Sequence, residues 1–306
     1  MKQTFYSNGK LLLTGEYLVL DGANALALPT KFGQSLQILP QEKPSISWKS
    51  YDADGSIWFE DELEFETIIN HKETSESTVK NTLLNILHHA YLLQPDWLNK
   101  KRGYQIATTL TFPKKWGLGT SSTLINNIAQ WLQIDAYQLL ANSFGGSGYD
   151  IACAQNDTPI LYRLDNEKPI ATTITFEPKF ANNLYFVYLN QKQSSKAAIA
   201  AYYNNKNQNL KENITTINQL TQAVVTANDV KAFAKVLQLH ENEMSIILEL
   251  STIQEALFPD FDGVIKSLGA WGGDFVLAVS NDNPTEYFIK KGYSTVIPYH
   301  EMILGR

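Results

Sequence analysis

Pro113-Lys114-Lys115-Trp116-Gly117-Leu118-Gly119-Thr120-Ser121-Ser122 sets two glycines and three hydroxyls directly before Leu124, Ile125, Ile128, Ala129 and Leu132, which recur at the spacing of an amphipathic helix. Glycines let a backbone approach phosphate oxygens. The first N–H groups of a helix lack partners inside it, and the helix dipole favours negative charge at that end. The stretch reads as an anion cradle; it reads equally as an ordinary capped helix after a turn. Hydroxyls at Thr120 and Ser121 suit phosphates or magnesium, which takes oxygen ligands. The loop is not Gly-x-x-x-x-Gly-Lys-Ser/Thr, and Gly9-Lys10 has Thr4 where that pattern's first glycine would stand. It is not a dinucleotide fingerprint either, because Ser122 stands where the third glycine belongs.

Upstream of this loop the chain is rich in short strand-like runs: Leu11 to Leu13, Tyr17 to Leu20, Gly33 to Leu39, Ile46 to Tyr51 and Ile57 to Phe59, parted by turn residues. A helix is expected from a cap at Ser77 to near Pro95, then an alternating strand over Gly103 to Thr111. Downstream, Leu184 to Leu189 reads as a buried strand, and Ser194 to Tyr203, Leu210 to Ala227 and Val230 to Leu250 as helices. Phe275 to Val279 and Thr295 to Pro298 read as strands flanking a helix at Pro284 to Lys291. The turn Asp165 to Pro169 is the expected domain boundary.

The chain has 306 residues, 44% hydrophobic, and a net charge of −6, which suits about two globular domains and provides no basic footprint for nucleic acid. The single Cys153 cannot form an intramolecular disulfide, so a cytoplasmic setting is expected. The first apolar run, Leu11 to Leu13, is too short for a secretory core, and no apolar stretch has the length of a membrane span. The five histidines are scattered. His240-Glu241 is followed by Met244 where a zinc-protease helix needs its second histidine, so a histidine metal site is not expected.

Three further clusters carry chemistry. Gly145-Gly146-Ser147-Gly148-Tyr149-Asp150 puts an acid at the head of an apolar segment, either as a helix cap or as a functional carboxylate. Gly9-Lys10-Leu11-Leu12-Leu13-Thr14-Gly15-Glu16 puts a lysine at the head of an apolar strand, solvated or paired. Gly269-Ala270-Trp271-Gly272-Gly273-Asp274 runs into the strand at Phe275, and its simplest reading is a tight turn.

These pieces, in this order, resemble the motifs of the GHMP kinase superfamily (galactokinase, homoserine, mevalonate and phosphomevalonate kinases). Gly9 to Ala23 looks most like the mevalonate and phosphomevalonate branch, and Gly148-Tyr149-Asp150-Ile151-Ala152 spells the name of its GYDIA subgroup. The resemblance implies an α+β chain with the two-domain GHMP kinase fold. Residues 1–167 would form an ATP-binding domain like the second domain of ribosomal protein S5, and 168–306 a ferredoxin-like substrate domain. It implies ATP and Mg2+ as cofactors. Gly117, Leu118, Gly119, Thr120, Ser121 and Ser122 would bind ATP, with Ser121 on the metal. Asp150 and Lys10 would be catalytic, and Glu16, Ser147, Ser194, Lys196, Gly272 and Gly273 would bind the acceptor. It further implies a small-molecule acceptor, mevalonate or 5-phosphomevalonate, with no nucleic-acid or membrane partner, in a fold that is often a homodimer.

Phosphoryl transfer needs mainly positioning and cations, and an aspartate can take the acceptor's hydroxyl proton. Lys10, Lys114, Lys115, Lys192 and Lys196 are expected to gather where the anions bind. Some positions depart from the family pattern. Asp135 is the only acid between Gln133 and Tyr149, where mevalonate kinases carry a metal-binding glutamate. Trp116 and Trp271 replace small residues, to narrow the site, stack on a base or pack in the core. The alternatives are a diphosphomevalonate decarboxylase or sugar kinase of the same fold, and a non-catalytic nucleotide-binding protein.

Overall fold

The computed structural model of the chain describes residues 1–306 apart from 75, 77, 100, 101, 192–198, 201, 204–208, 272 and 306. Two compact units emerge, and neither is one continuous stretch. The first comprises Met1–Gly9, Phe32–Lys114 and Leu118–Gln155; the second comprises Lys10–Lys31, Lys115–Gly117 and Asn156–Arg306. Two long strands, β1 (Gln3–Leu12) and β2 (Ala25–Gln41), contribute to both.

In the first unit β2 pairs antiparallel with β5 (Gly103–Leu110), from Gln34 opposite Leu110 to Gln41 opposite Gly103. β3 (Ser45–Tyr51) lies parallel to β5 and antiparallel to β4 (Ile57–Glu64). A parallel neighbour requires a long crossover, which α1 (Phe65–Ile69) and α2 (Val79–Leu93) supply. In β3, Ile46, Trp48 and Ser50 are buried while the residues between them are not. The buried indole N–H of Trp48 donates to Ser50 Oγ at 3.0 Å, so the polar edge is satisfied inside the core. With Leu36, Ile38 and Ile106, these strands pack against Leu83 and Leu87 of α2, Ile125, Ile128 and Leu132 of α3 (Thr120–Leu132), and Leu139 of α4 (Ala136–Ser143). α5 (Tyr149–Gln155) adds Ile151 and packs on α3. The cap of α2 is Thr78, not Ser77, which lies outside the described residues.

In the second unit the first residues of β2 pair with β6 (Ile160–Asp165), and β6 turns through Asn166 and Glu167 into β7 (Lys168–Thr173). Both turn residues have positive φ, 49° and 62°, matching a two-residue hairpin. The stretch expected as a boundary is thus the turn of a hairpin inside one compact unit. A separate antiparallel sheet has the order β11-β8-β10-β9, formed by β8 (Leu184–Tyr188), β9 (Val264–Ser267), β10 (Phe275–Val279) and β11 (Val296–Pro298). Every residue of central β10 is buried, as its unbroken apolar run dictates.

Around this sheet run α6 (Leu210–Thr226), α7 (Val230–Leu248), α8 (Ile253–Leu257), α9 (Thr285–Lys290) and α10 (Tyr299–Met302). The strand expected over Tyr17 to Leu20 is instead a tight turn and a 3-10 helix, Leu18–Asp21, that buries Leu18 and Val19. The helix expected over Ser194 to Tyr203 falls largely outside the described residues. Among the described residues no helix is long and apolar enough to cross a membrane.

Candidate functional site

Helix α3 begins at Thr120 with Gly119 as its N-cap, in the left-handed region and without a side-chain cap. α2, α4, α7 and α8 are capped by Thr78, Asp135, Asp229 and Thr252. The opening turn of α3 therefore takes no hydrogen bond from its cap residue, which suits an external anion. Thr120 and Ser121 are half-buried there. The Ser122 hydroxyl instead donates to the Gly119 carbonyl at 3.0 Å, and the Leu118 side chain is wholly buried. These two can offer an anion their backbone but not their side chains.

Behind this turn lies a polar network that the periodicity does not reveal. Ser7 Oγ donates to Asn127 Oδ1, and Asn126 Nδ2 donates to Ser7 Oγ, both at 2.8 Å. Asn127 Nδ2 reaches the Gln34 carbonyl and Thr123 Oγ1 reaches Gln34 Oε1, both at 2.9 Å, while Gln155 Nε2 donates to Asn126 Oδ1 at 3.1 Å. Ser7, Gln34, Thr123, Asn126 and Asn127 are all buried. The network fixes α3 to β1, β2 and α5. Its signal in the sequence is the pair Asn126-Asn127 set among apolar residues.

In the second unit, Lys10 Nζ donates to the Gly117 carbonyl at 2.8 Å. Gly117 has φ +69°, and a Cβ there would collide with the Asp274 carboxylate, so the conformation and the close approach both require glycine. Asp274 is itself left-handed at φ 53° and donates its N–H to the Gln191 carbonyl at 2.7 Å. Trp116 packs edge-on against Phe275, ring centres 5.4 Å apart, and against Tyr188, whose hydroxyl donates to the Lys115 carbonyl at 3.0 Å. Trp271 is buried among Leu18, Ala23, Ile217 and Met244. Of the readings open for the two tryptophans, packing is the one observed.

Glu16 is fully buried. It pairs with Lys266, which also meets Glu241 Oε2 at 3.2 Å and donates to the Ser267 carbonyl at 2.6 Å. The ammonium thus donates to Glu16 and to the Ser267 carbonyl and lies within ion-pair range of Glu241. Glu241 Oε1 accepts from the Ser267 N–H at 3.1 Å and from its hydroxyl. Burial pushes the Glu16 carboxyl up to about 7, opposed by the Lys266 charge and reinforced by Glu241. Burial alone would lower Lys266, but the two carboxylates more than offset it and hold the ammonium above its usual value. His240 is driven well below its ordinary value by burial and then by Lys266, so it is neutral and its Nε2 accepts the Gly15 N–H at 3.2 Å. Sequence reasoning missed Lys266 and Glu241, and weighed His240 only as a metal ligand. The available signal was a lysine placed inside the apolar strand β9.

Asp150 lies in the first turn of α5, half-buried, and accepts the Ile151 N–H at 3.2 Å; Ser147, just before it, is buried. Gly273 is buried beside Asp274. Ser194, Lys196, Lys192 and Gly272 lie outside the described residues. Lys114 Nζ sits 4.0 Å over the Trp58 ring, and its N–H donates to Asp52 at 2.9 Å. Among the described residues no group of three or more His, Cys, Asp or Glu side chains could hold a metal ion.

No family model matches the chain, and no curated protein matches it. Solved structures do. The mevalonate kinase of Methanococcus jannaschii is similar at TM-score 0.74 and 16% identity, over 100% of this chain and 99% of that one. Streptococcus pneumoniae phosphomevalonate kinase, in complex with phosphomevalonate and AMPPNP, is similar at TM-score 0.68 and 17% identity, over 99% and 98%. Lactococcus lactis galactokinase, complexed with galactose, follows at TM-score 0.64 and 14% identity, over 95% and 88%. The mixed sheet, the second antiparallel sheet and this near end-to-end correspondence give the chain the two-domain fold of the GHMP kinases.

Proposed function

We propose that this protein is an ATP-dependent small-molecule kinase that phosphorylates 5-phosphomevalonate or mevalonate. The observation that carries the reading is the glycine-capped start of α3, an anion-receptive helix end without a side-chain cap and with two half-buried hydroxyls. It occurs in a fold shared with a phosphomevalonate kinase whose structure holds phosphomevalonate and AMPPNP. In this reading residues 1–167 supply the nucleotide loop together with Glu16, Ser147 and Asp150 for the acceptor, and 168–306 supply the acceptor's remaining contacts. Gly117 to Ser122 receive the ATP phosphates, with Ser122 and Leu118 acting through their backbone. Ser147, Ser194, Lys196, Gly272 and Gly273 would bind the acceptor, and Glu16 would serve it from within its buried ion pair.

Asp150 accepts the proton of the acceptor hydroxyl as the new P–O bond forms, and Lys10 steadies charge on the attacking oxygen. A carboxylate cage for Mg2+ is absent among the described residues. Ser121 fits a hard cation held chiefly by phosphate oxygens and waters, a common arrangement for this ion. When bound, Mg2+ would neutralise charge on the transferring phosphoryl group.

A phosphate acceptor is already ionised near neutral pH and has less need of a base, so Asp150 speaks for an alcohol. Tyr17 after Glu16, where mevalonate kinases tend to have histidine, and Asp274 after Gly272-Gly273 resemble the phosphomevalonate branch and speak for the phosphorylated acceptor, which we favour. An ADP-release assay with mevalonate, 5-phosphomevalonate and galactose separates these. Turnover of a mevalonate-type acceptor is expected, and turnover of galactose alone would make the protein a sugar kinase. MgATP binding by calorimetry without turnover on any acceptor would make it a nucleotide-binding protein.

A further inference from the structure

The segment Gly15 to Leu18 is held in a conformation the chain would not choose by itself. Tyr17 has φ 56° and ψ −49°, and the Leu18 N–H donates to the Glu16 carbonyl at 2.6 Å, which makes a γ-turn with a non-glycine residue at its strained centre. Such a turn persists only where its surroundings over-determine it, and here each flank is fixed. The Gly15 N–H is bonded to His240, and a Cβ at Gly15 would press on the backbone of Asn24 and Ala25. The Glu16 side chain is locked to Lys266. The Tyr17 ring stacks on Tyr202 at 5.6 Å, and the Tyr202 hydroxyl donates to Asp21 at 2.7 Å.

The same ion pair ties together two segments that meet again elsewhere. Lys10 precedes Glu16 by six residues and bonds to Gly117. Asp274 follows Lys266 by eight and sits where a Gly117 side chain would be. Lys10, Glu16, Lys266, Asp274 and Gly117 thus close a ring through space, and the Glu16 to Lys266 contact is its only link made wholly inside the protein core.

From this geometry we infer that Lys266 is a positioning residue for phosphoryl transfer: through Glu16 it holds the strained turn at Tyr17 and thereby sets Lys10 and Asp274 on Gly117. The inference rests on the kinase reading above. Glu241 and Ser267 fix Lys266 from behind, so the brace has a fixed anchor and does not depend on solvent-exposed charges.

The test compares wild type with Lys266→Met, Glu16→Gln and the double variant, all as full chains. In Lys266→Met the amides of Tyr17, Leu18 and Val19 should exchange with deuterium at least about tenfold faster, while those of β10 stay protected. On the acceptor that wild type turns over, kcat should fall about tenfold to a hundredfold, with KM for MgATP within about twofold. The double variant should lose no more than the worse single one, because the residues act as a unit. Glu16→Gln removes the charge that holds the turn and leaves the Lys266 to Glu241 pair in place; it should show the same faster exchange and lower kcat, and serves if Lys266→Met does not fold. Unchanged exchange at the turn would overturn the inference, as would a fall in melting temperature with kcat of the folded protein intact. A wild type that turns over no acceptor refutes the kinase reading instead, and the exchange measurement still decides whether the brace exists.

Discussion

At the residue scale the carboxylates divide by environment. Asp150 sits half-buried at a helix start, within reach of solvent, whereas Glu16 is sealed in the core with Lys266. In the kinase reading Asp150→Asn keeps the size of the side chain and removes the proton acceptor. Turnover should fall by at least about a hundredfold while calorimetric MgATP affinity stays within about twofold. A wild-type rate would remove Asp150 from the mechanism.

Glu16 carries a pH signature. Its carboxyl lies near 7 in the folded chain and near 4.5 when freed from burial, so between those values the folded state retains a proton that the unfolded state releases. Stability from this group is full below about pH 4.5 and is lost as pH rises to about 7. Glu16→Gln has no such loss. Its stability relative to wild type should climb from pH 5 to pH 8 by up to roughly 3 kcal/mol, read from urea unfolding at the two values. A difference that does not change with pH would mean that Glu16 titrates normally.

At the element scale, α3 is the part whose position matters, and buried amides rather than apolar packing alone set it. Apolar side chains slide with little penalty, whereas Asn127 must meet both Ser7 and the Gln34 carbonyl. Asn127→Ala strands those two groups in the core, and each unsatisfied buried group costs about 1–3 kcal/mol. The urea midpoint should drop accordingly, with the m-value unchanged. The α3 element itself was legible, since Leu124, Ile125, Ile128, Ala129 and Leu132 trace one face and the glycines mark its start. The Tyr17 to Leu20 segment was not. Its apolar run matches a strand locally, but Leu18 and Val19 are buried by tertiary contacts that a turn satisfies better. The β6 to β7 hairpin was missed for the opposite reason: every residue of β7 is exposed, so it leaves no hydrophobic pattern to read.

At the scale of the whole molecule, the chain returns on itself. Thr30 bridges to Ile303, and the Leu304 N–H donates to the Pro29 carbonyl at 3.0 Å, so residues near the end of the sequence dock on β2. Tyr299, Met302 and Ile303 are buried. Ending the chain at Pro298 removes all three side chains, each contributing about 1.5–3 kcal/mol by burial. The truncated protein should melt at least about 5 °C lower in a thermal scan or fail to accumulate in soluble form.

The sequence by itself determined the main strands and helices, the glycine loop leading into α3, and the ordered motifs that resemble GHMP kinases, because periodicity, turn chemistry and helix starts are local. Only the tertiary structure decided that Trp116 and Trp271 pack, that β1 and β2 serve both compact units, and that Glu16 is neutralised by a lysine 250 positions away. Buried charges and amides find their partners through space. The free energy of leaving them unpaired is set by the whole fold, and no window of sequence contains it.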